Sequence, residues 1–417
     1  MARAGGWGAG SRTDAAARLL QRHPTYEFLE ARARRRIPRF AWDFVHGGTG
    51  ADVGIDVNRR ALDRVAIVPR YGVMGKADTQ VEFFGRRYSA PIGISPVGMD
   101  ALAWPGSSRC LARAARDENI PYITGTLADS ALEEVAGIAG PNAWLQLYGF
   151  PRDDHRVTFD MIARAEAAGM SAIVATLDAP VRAKRPRDLA NRLVVPFRTR
   201  PSTVWQVARS PAWTRALLRA GMPGFGSINR YVEGTPTLDR IASFVQKELV
   251  GSFSWSEIAR MRKAFSRAVV VKGVLHPEDA ERALAAGVDA VMVSNHGGRQ
   301  SDAAPAPIDV LPAIVDRVAG RAKILFDSGV RSGLDAARAV ALGADAVFCG
   351  RAFLWGLAAA GDEGGAFVAR MLRDELAVAM AQSGAWSVPD LREAAIRHPG
   401  RFDFPASKAH VAELAAQ

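Results

Sequence analysis

Residues 291–300 read Val-Met-Val-Ser-Asn-His-Gly-Gly-Arg-Gln. An apolar run delivers a histidine, two glycines and an arginine in quick succession. His296 is a base that titrates near neutrality, and Arg299 is a fixed cation able to grip a carboxylate through two donors. The glycines let the backbone turn sharply between them. Such a unit suits proton removal from a substrate that carries an acid group. Two further segments combine glycine with arginine: Asp327-Ser328-Gly329-Val330-Arg331-Ser332-Gly333 and Gly350-Arg351. Exposed amides and guanidinium charge together make an anion site, and a phosphate is expected there. Lys272 stands alone among valines. A lysine at a buried strand end needs an anion or an electron-rich ring beside it.

Positioning these groups requires a framework. Short β-branched or apolar runs that end at Gly, Pro, Asp or Asn recur eight times: Pro91 to Pro96, Pro121 to Thr126, Trp144 to Tyr148, Ala172 to Asp178, Ala268 to Gly273, Ala290 to His296, Ile324 to Gly329 and Ala346 to Arg351. Alanine-rich helical patterns such as Pro277 to Ala286 and Gly333 to Leu342 lie between them. Near-continuous apolar strands alternating with helices predict a parallel sheet covered on its outer face. Eight such units predict a (β/α)8 barrel of the TIM type, whose chemistry sits at the carboxyl ends of its strands. An open doubly wound sheet is disfavoured, because no GxGxxG turn follows the first strand. The barrel would gather Tyr148, Thr176, Asp178, Lys272, His296, Asp327 and Arg351 at one mouth. The phosphate would lie after strands seven and eight. Each residue has a plainer alternative: Asp178 before Pro180 could start a turn, and Tyr148 could be half-buried packing.

The bulk composition agrees. The chain has 417 residues, 48% of them hydrophobic, with 39 glycines and a formal charge of +11. That is enough for one large core and many short loops. Cys110 and Cys349 are the only cysteines, so neither a disulfide framework nor a cysteine-rich metal site is expected. No metal is predicted. The positive charge comes without zinc-finger or helix-turn-helix spacing, which argues against nucleic acid as a partner. The N-terminus has no secretory-type apolar core, and residues 1–25 are expected to be flexible. A cytoplasmic location follows, with the inner face of the cytoplasmic membrane as a contact surface.

One connection is long. Residues 179–267 separate strands four and five and read as a lid or attached surface element. Phe197 to Ala220 carries Arg198, Arg200, Arg209, Arg215 and Arg219, no acid, and Trp205, Trp213, Leu217 and Leu218. Two readings stand: an amphipathic helix resting in a membrane interface, or a solvated helix that packs its tryptophans on the barrel.

From about Tyr26 to Ile396 the chain resembles the FMN-dependent 2-hydroxy-acid oxidases and dehydrogenases, enzymes acting on glycolate, lactate or mandelate. The resemblance rests on Ser294 to Gln300, Arg185 within Ala179 to Asn191, Asp327 to Gly333 and Gly350-Arg351, in that family's order. It implies FMN as cofactor. It implies His296 as the base and Asp178 as its partner, Arg185 and Arg299 as a carboxylate clamp, and Tyr148 as a hydrogen-bond partner of the substrate hydroxyl. Lys272 would sit near the electron-rich edge of the flavin. Gln146, Thr176 and Ser294 would bond the ring, and the backbone at Pro96, Val97 and Gly98 would run beside it. Asp327, Gly329, Arg331, Gly350 and Arg351 would hold the ribityl chain and phosphate. An (S)-2-hydroxy acid would leave as the 2-oxo acid, with electrons passing to a quinone or another acceptor. The same base and clamp serve whether the hydroxyl or the Cα proton leaves first. A homotetramer is a further implication of the resemblance. The chain belongs after residue 396 to a C-terminal tail.

Three positions depart from the family's usual pattern. Phe44 stands where most members have a tyrosine that bonds the substrate carboxylate, a loss of roughly 1–3 kcal/mol if nothing replaces the hydroxyl. Leu127 stands where the glycolate oxidases have tryptophan, which opens room for a medium-sized or aromatic side chain. Gly98 replaces a common alanine, as in the mandelate-oxidising branch, which Gly251 to Trp255 and the basic linker also resemble. A dehydrogenase is therefore preferred to an oxygen-using oxidase. A pathway-specific flavoenzyme acting on a modified hydroxy or amino acid is the remaining enzymatic alternative, and a non-catalytic flavin binder the non-enzymatic one.

Overall fold

The computed structural model describes residues 14–181, 183–193, 200–249, 251–402 and 404. Eight parallel strands close into a barrel: β1 (Ile92–Ile94), β2 (Tyr122–Thr124), β3 (Ala143–Leu147), β4 (Ala172–Thr176), β5 (Ala268–Val274), β6 (Ala290–Val293), β7 (Lys323–Phe326) and β8 (Ala346–Cys349). β8 pairs with β1 through Val347 and Ile92, and β7 with β6 through Lys323 and Ala290. Closure leaves the barrel no open edge. Several strands stop earlier than the apolar runs that signal them. β6 ends at Val293 and β7 at Phe326, because the chain soon enters left-handed backbone at His296 (φ 59°), Ser328 (φ 84°) and Gly329 (φ 84°).

The period of two along each strand sorts the side chains. Leu145, Ile173, Val269, Val271, Val291 and Phe326 belong to the outer core beneath the helices. Trp144, Ala172, Val174, Ala268, Val270, Ala290, Met292, Leu325 and Phe348 fill the barrel interior as a separate cluster. One further step of two from this interior layer reaches Gln146, Thr176, Lys272, Ser294, Asp327 and Gly350. Those residues therefore form the top layer of the lumen, at the carboxyl ends of the strands. The bottom is closed by a hairpin, Val81–Phe83 with Arg86–Tyr88, whose Phe83 packs edge-on to Trp144 at 6.1 Å.

Helix signals in the chain are local. Ser332 and Asp335 form a reciprocal capping box that starts Gly333–Ala341, and Ser254 with Glu257 does the same for Trp255–Ala264. Pro277 occupies the first turn of Pro277–Ala285, where its missing N–H costs nothing. The N-terminal stretch expected to be flexible through residue 25 is helical over Asp14–Arg22, since Leu19 and Leu20 pack on the core. Residues 1–13 lie outside the described residues. The start of the C-terminal tail is packed as well: Ile396–Arg397 pairs with Ala66–Ile67, and Phe404 lies 4.9 Å from the His276 ring, while residues 403 and 405–417 lie outside the described residues.

Within the long connection, the stretch from Phe197 to Ala220 holds two helices among its described residues in place of the single amphipathic one expected, Pro201–Ala208 and Pro211–Ala220, broken where Pro211 begins a new first turn. Arg198 lies outside the described residues. The two tryptophans part company. Trp213 is buried, donates to Leu102 O at 3.0 Å and meets Phe40 edge-on at 5.9 Å. Trp205 is 63% exposed and Leu218 80% exposed. A further helix, Leu238–Glu248, follows in the same connection, and its Ala242, Val245 and Gln246 reach the cavity at the barrel mouth.

Candidate active site

The mouth opens into a cavity of about 720 Å³. Its wall includes Phe44, Pro96, Val97, Gly98, Leu127, Gln146, Tyr148, Thr176, Arg185, Lys272, His296, Arg299, Asp327, Gly329, Arg331, Gly350 and Arg351. The fold thus brings together groups as far apart in the chain as Phe44 and Arg351. Asp178 and Ser294, also expected at the site, are not part of this wall but bond residues that are, Asp178 to His296 and Ser294 to Lys272.

His296 follows β6 in left-handed backbone, as do Gly297 and Gly298. Its Nδ1 lies 2.9 Å from Asp178 Oδ1 and its Nε2 3.3 Å from Tyr148 Oη. Burial lowers the imidazole pKa below its ordinary value, and Asp178 opposes that shift. Burial likewise works against the Asp178 carboxylate, but the His296 imidazolium, present only in the acid range, and the Lys272 ammonium outweigh it and hold its pKa low. The resting pair is therefore a neutral imidazole that donates Nδ1–H to a carboxylate, leaving Nε2 as the proton acceptor. Burial and Asp178 raise the Tyr148 pKa, so it stays a phenol able to donate.

Lys272 is placed by an irregularity in β5. The β5–β6 register shifts between Lys272 and Val274, with Gly273 at φ 98°. A side chain at 273 would put its Cβ 2.5 Å from Asp178 Cβ, so glycine is required for the two strand ends to approach. Lys272 Nζ donates to Ser294 Oγ at 2.7 Å and pairs with Asp327 Oδ2 at 3.2 Å. Burial works against the ammonium, yet Asp327 and Asp178 keep its pKa above the ordinary lysine value. The Ser294 hydroxyl, expected to meet the flavin, is engaged by Lys272 and by the His296 amide. Gln146 donates to Thr176 Oγ1 at 2.9 Å and accepts from the Thr126 amide at 3.2 Å.

Two arginines are held by one helix end. Arg299 donates to Phe44 O at 2.8 Å and Gly47 O at 2.6 Å; Arg351 donates to Val45 O at 2.8 Å, Gly47 O at 3.0 Å and Gly297 O at 2.9 Å. The carbonyls of Phe44, Val45 and Gly47 lie at the C-terminal end of the helix Arg39–His46, which has unsatisfied acceptors and a negative dipole end, while Gly297 O belongs to the His296 loop. Sequence reasoning did not reach this arrangement, because backbone acceptors carry no residue signature. The Arg299 guanidinium also lies 5.1 Å from the Phe44 ring centre. Burial, with Arg185 and then Arg351 nearby, pushes the Arg299 pKa well down. Burial and Arg331 bring Arg351 down to about 10. A guanidinium does not give up its proton in practice, so both shifts report positive charge that seeks an anion. The wall carries Lys184, Arg185, Lys272, Arg299, Arg331 and Arg351 against Asp188 and Asp327. Arg185 Nε and Asp178 Oδ2 are buried without a protein partner.

The residues fit a bound FMN. The volume lies within the roughly 300–1,000 Å³ of cofactor sites. Arg331 and Arg351 offer charge to a phosphate, and a side chain at Gly350 would crowd Val97 at 3.1 Å in that part of the wall. Cys349 ends β8 beside them; burial pushes its thiol up to about 12, and that of Cys110 also to about 12.

Residues 33–398 match the model of the FMN-dependent dehydrogenases. The chain belongs to this family. Within the FMN-dependent dehydrogenases it is 37% identical over 361 residues to 4-hydroxymandelate oxidase of Amycolatopsis orientalis, covering 86% of this chain and 94% of that one. It is 33% identical over 368 residues to (S)-mandelate dehydrogenase of Pseudomonas putida, covering 88% and 92%. A crystal structure of a monotopic membrane protein, (S)-mandelate dehydrogenase, matches with a TM-score of 0.84 at 32% identity over 90% of this chain and 99% of that one. This FMN-dependent dehydrogenase is thus a flavoenzyme of the 2-hydroxy-acid-oxidising kind, and FMN is its cofactor.

Proposed function

We propose that the enzyme oxidises an (S)-2-hydroxy acid with a medium-sized or aromatic side chain to the 2-oxo acid and delivers the electrons to a quinone-type acceptor at a membrane surface. The observation that carries this reading is the meeting of a neutral His296, paired to Asp178, with Arg185 and Arg299 in one cavity. Arg185 and Arg299 bind the substrate carboxylate and so fix Cα and its hydroxyl. Tyr148 bonds that hydroxyl, and His296 Nε2 takes a proton. Asp178 holds the ring's tautomer and stabilises the imidazolium. Lys272, kept charged by Asp327, faces the cofactor. Pro96, Val97, Gly98, Gln146 and Thr176 bound the ring, and Gly329, Arg331, Gly350 and Arg351 hold the phosphorylated chain. FMN, when bound, would supply the oxidant, taking up both electrons together with the second hydrogen. The substrate's side chain meets Leu127, Val181, Phe225, Val245 and Leu249, an apolar wall with room for a ring.

Anaerobic mixing with glycolate, lactate, mandelate and longer 2-hydroxy acids tests the reaction: the flavin's visible absorbance is lost with true substrates, mandelate ahead of glycolate. No bleaching with any of them would end the reading. Reoxidation then separates two acceptors. The similarity to 4-hydroxymandelate oxidase favours dioxygen as the second reading. Fast reoxidation by air would select it over a quinone.

Phe44 supplies a prediction of its own. Its ring lines the cavity beside Arg299. Phe44→Tyr adds a donor and is expected to lower KM about fivefold, the worth of about one net hydrogen bond. An equal or higher KM would mean that the pocket does not read the carboxylate at this corner.

No helix among the described residues is long and apolar enough to cross a membrane. Contact with a lipid surface is proposed through Val204, Trp205, Leu218 and Met222, exposed among the exposed arginines 200, 209, 215 and 219. Cations beside apolar side chains suit an anionic bilayer. The double variant Trp205→Ser, Leu218→Ser is expected to bind anionic vesicles at least ~10-fold more weakly, since each buried side chain is worth ~1.5–3 kcal/mol. Unchanged sedimentation with vesicles would remove this surface from the proposal. A homotetramer completes it.

A further inference from the structure

Ser328 was not singled out by its residue type, yet its hydroxyl has three partners. It donates to Asp327 Oδ1 at 2.9 Å and accepts from the backbone N–H of Asn295 at 3.3 Å and of Gly297 at 3.0 Å. Those amides flank His296, whose own N–H is taken by Ser294 Oγ at 3.0 Å. Three successive amides of the histidine loop are thus held by two hydroxyls, from the ends of β6 and β7. The bonds also continue inward. Asp327 Oδ2 accepts from Ser95 Oγ at 3.3 Å and pairs with Lys272. Lys272 closes the circuit by donating to Ser294. Ser328 is 8% exposed. Its backbone sits at φ 84°, where a serine is strained and a glycine would not be.

We infer that Ser328 is a positioning residue for the reaction: its hydroxyl locks the backbone of the His296 loop to the Asp327–Lys272 pair, so that imidazole and ammonium keep one fixed relation to the bound reactants. The three hydrogen bonds offset the strain of the left-handed backbone at 328. The loop itself is strained in the same sense at His296, and without the hydroxyl its amides at 295 and 297 would turn to water. This inference rests on His296 being the base.

Ser328→Gly and Ser328→Ala test it as FMN-loaded enzyme. Glycine removes the hydroxyl and the strain together; alanine removes the hydroxyl alone. Both variants are expected to show backbone hydrogen–deuterium exchange across residues 294–298 accelerated on the order of 10-fold, the effect of about one lost hydrogen bond. Both should lose kcat about 10-fold with KM within about twofold, as expected when groups are misplaced while substrate binding persists. FMN content stays that of the wild type, and the glycine variant melts no lower than the alanine variant. Unchanged exchange in the loop, a glycine variant of wild-type kcat, or a deficit seen only with alanine would overturn the inference. So would loss of FMN from the glycine variant, which would place the hydroxyl in cofactor retention. A fully active His296→Asn enzyme would instead overturn the assignment of the base, whatever the exchange data show.

Discussion

His296→Asn is expected to lower kcat by roughly 10²–10⁴-fold while FMN stays bound. The imidazole is the one neutral base of the described cavity wall that a neighbouring carboxylate supports. Asparagine keeps much of the polarity and can still meet Asp178, so the fold and the cofactor site are spared. The pH profile gives the sign independently. His296 must be neutral to accept a proton, and burial lowers its pKa despite Asp178. kcat/KM should therefore rise with pH through a limb below the ordinary imidazole value of about 6.5 and be level by neutrality. In Asp178→Asn the supporting charge is gone, so the limb moves further to acid while kcat falls. An acid limb that moved toward alkali in that variant would contradict the pairing read from the structure.

Arg299→Met is expected to reduce kcat/KM on the order of 10²–10³-fold, chiefly through KM. Removing one partner of a buried charge pair costs ~2–5 kcal/mol, and each 1.4 kcal/mol is about tenfold. The guanidinium is buried, close to Arg185 and Arg351, and its depressed pKa marks a charge still short of an anion. A substrate carboxylate supplies one. Arg299 also holds Phe44 O and Gly47 O, so a control is needed for slippage of the helix Arg39–His46. Arg351 grips Val45 O and Gly47 O of the same helix end and should keep it in place. FMN content and melting temperature near those of the wild type would show this. Arg185→Met is expected to raise KM similarly, without any effect on the helix. Steady-state kinetics on the preferred 2-hydroxy acid checks both, and an unaltered KM in either would remove that arginine from the clamp.

Much of this site was legible because strand alternation and chemistry coincide. An apolar run ending in Lys272 or in Ser294-Asn295-His296 announces both a buried strand and a reactive end. The eight strands and the residues on their carboxyl ends follow from that. The strand ends were less legible, since left-handed backbone at Ser328 has no mark in residue type. The plug below the barrel has only three alternating residues on each side of Phe84-Gly85, too few to stand out as a hairpin. The carbonyls of Phe44, Val45 and Gly47 act through backbone alone, so no sequence pattern points to them. The basic connection divided in a way composition could not foretell: Trp213 found a backbone acceptor and a ring to pack on, whereas Trp205 stayed outside.

The two cysteines bear on how such an enzyme endures its own chemistry. A reduced flavin that leaks electrons to dioxygen yields hydrogen peroxide within the cavity that Cys349 borders. Peroxide and electrophiles attack thiolates, and burial pushes the Cys349 thiol up to about 12, so it stays protonated at neutral pH. Cys110 is shielded to the same degree. The thiol that borders the cavity is thereby held in its unreactive form at the very place where an oxidant would first appear.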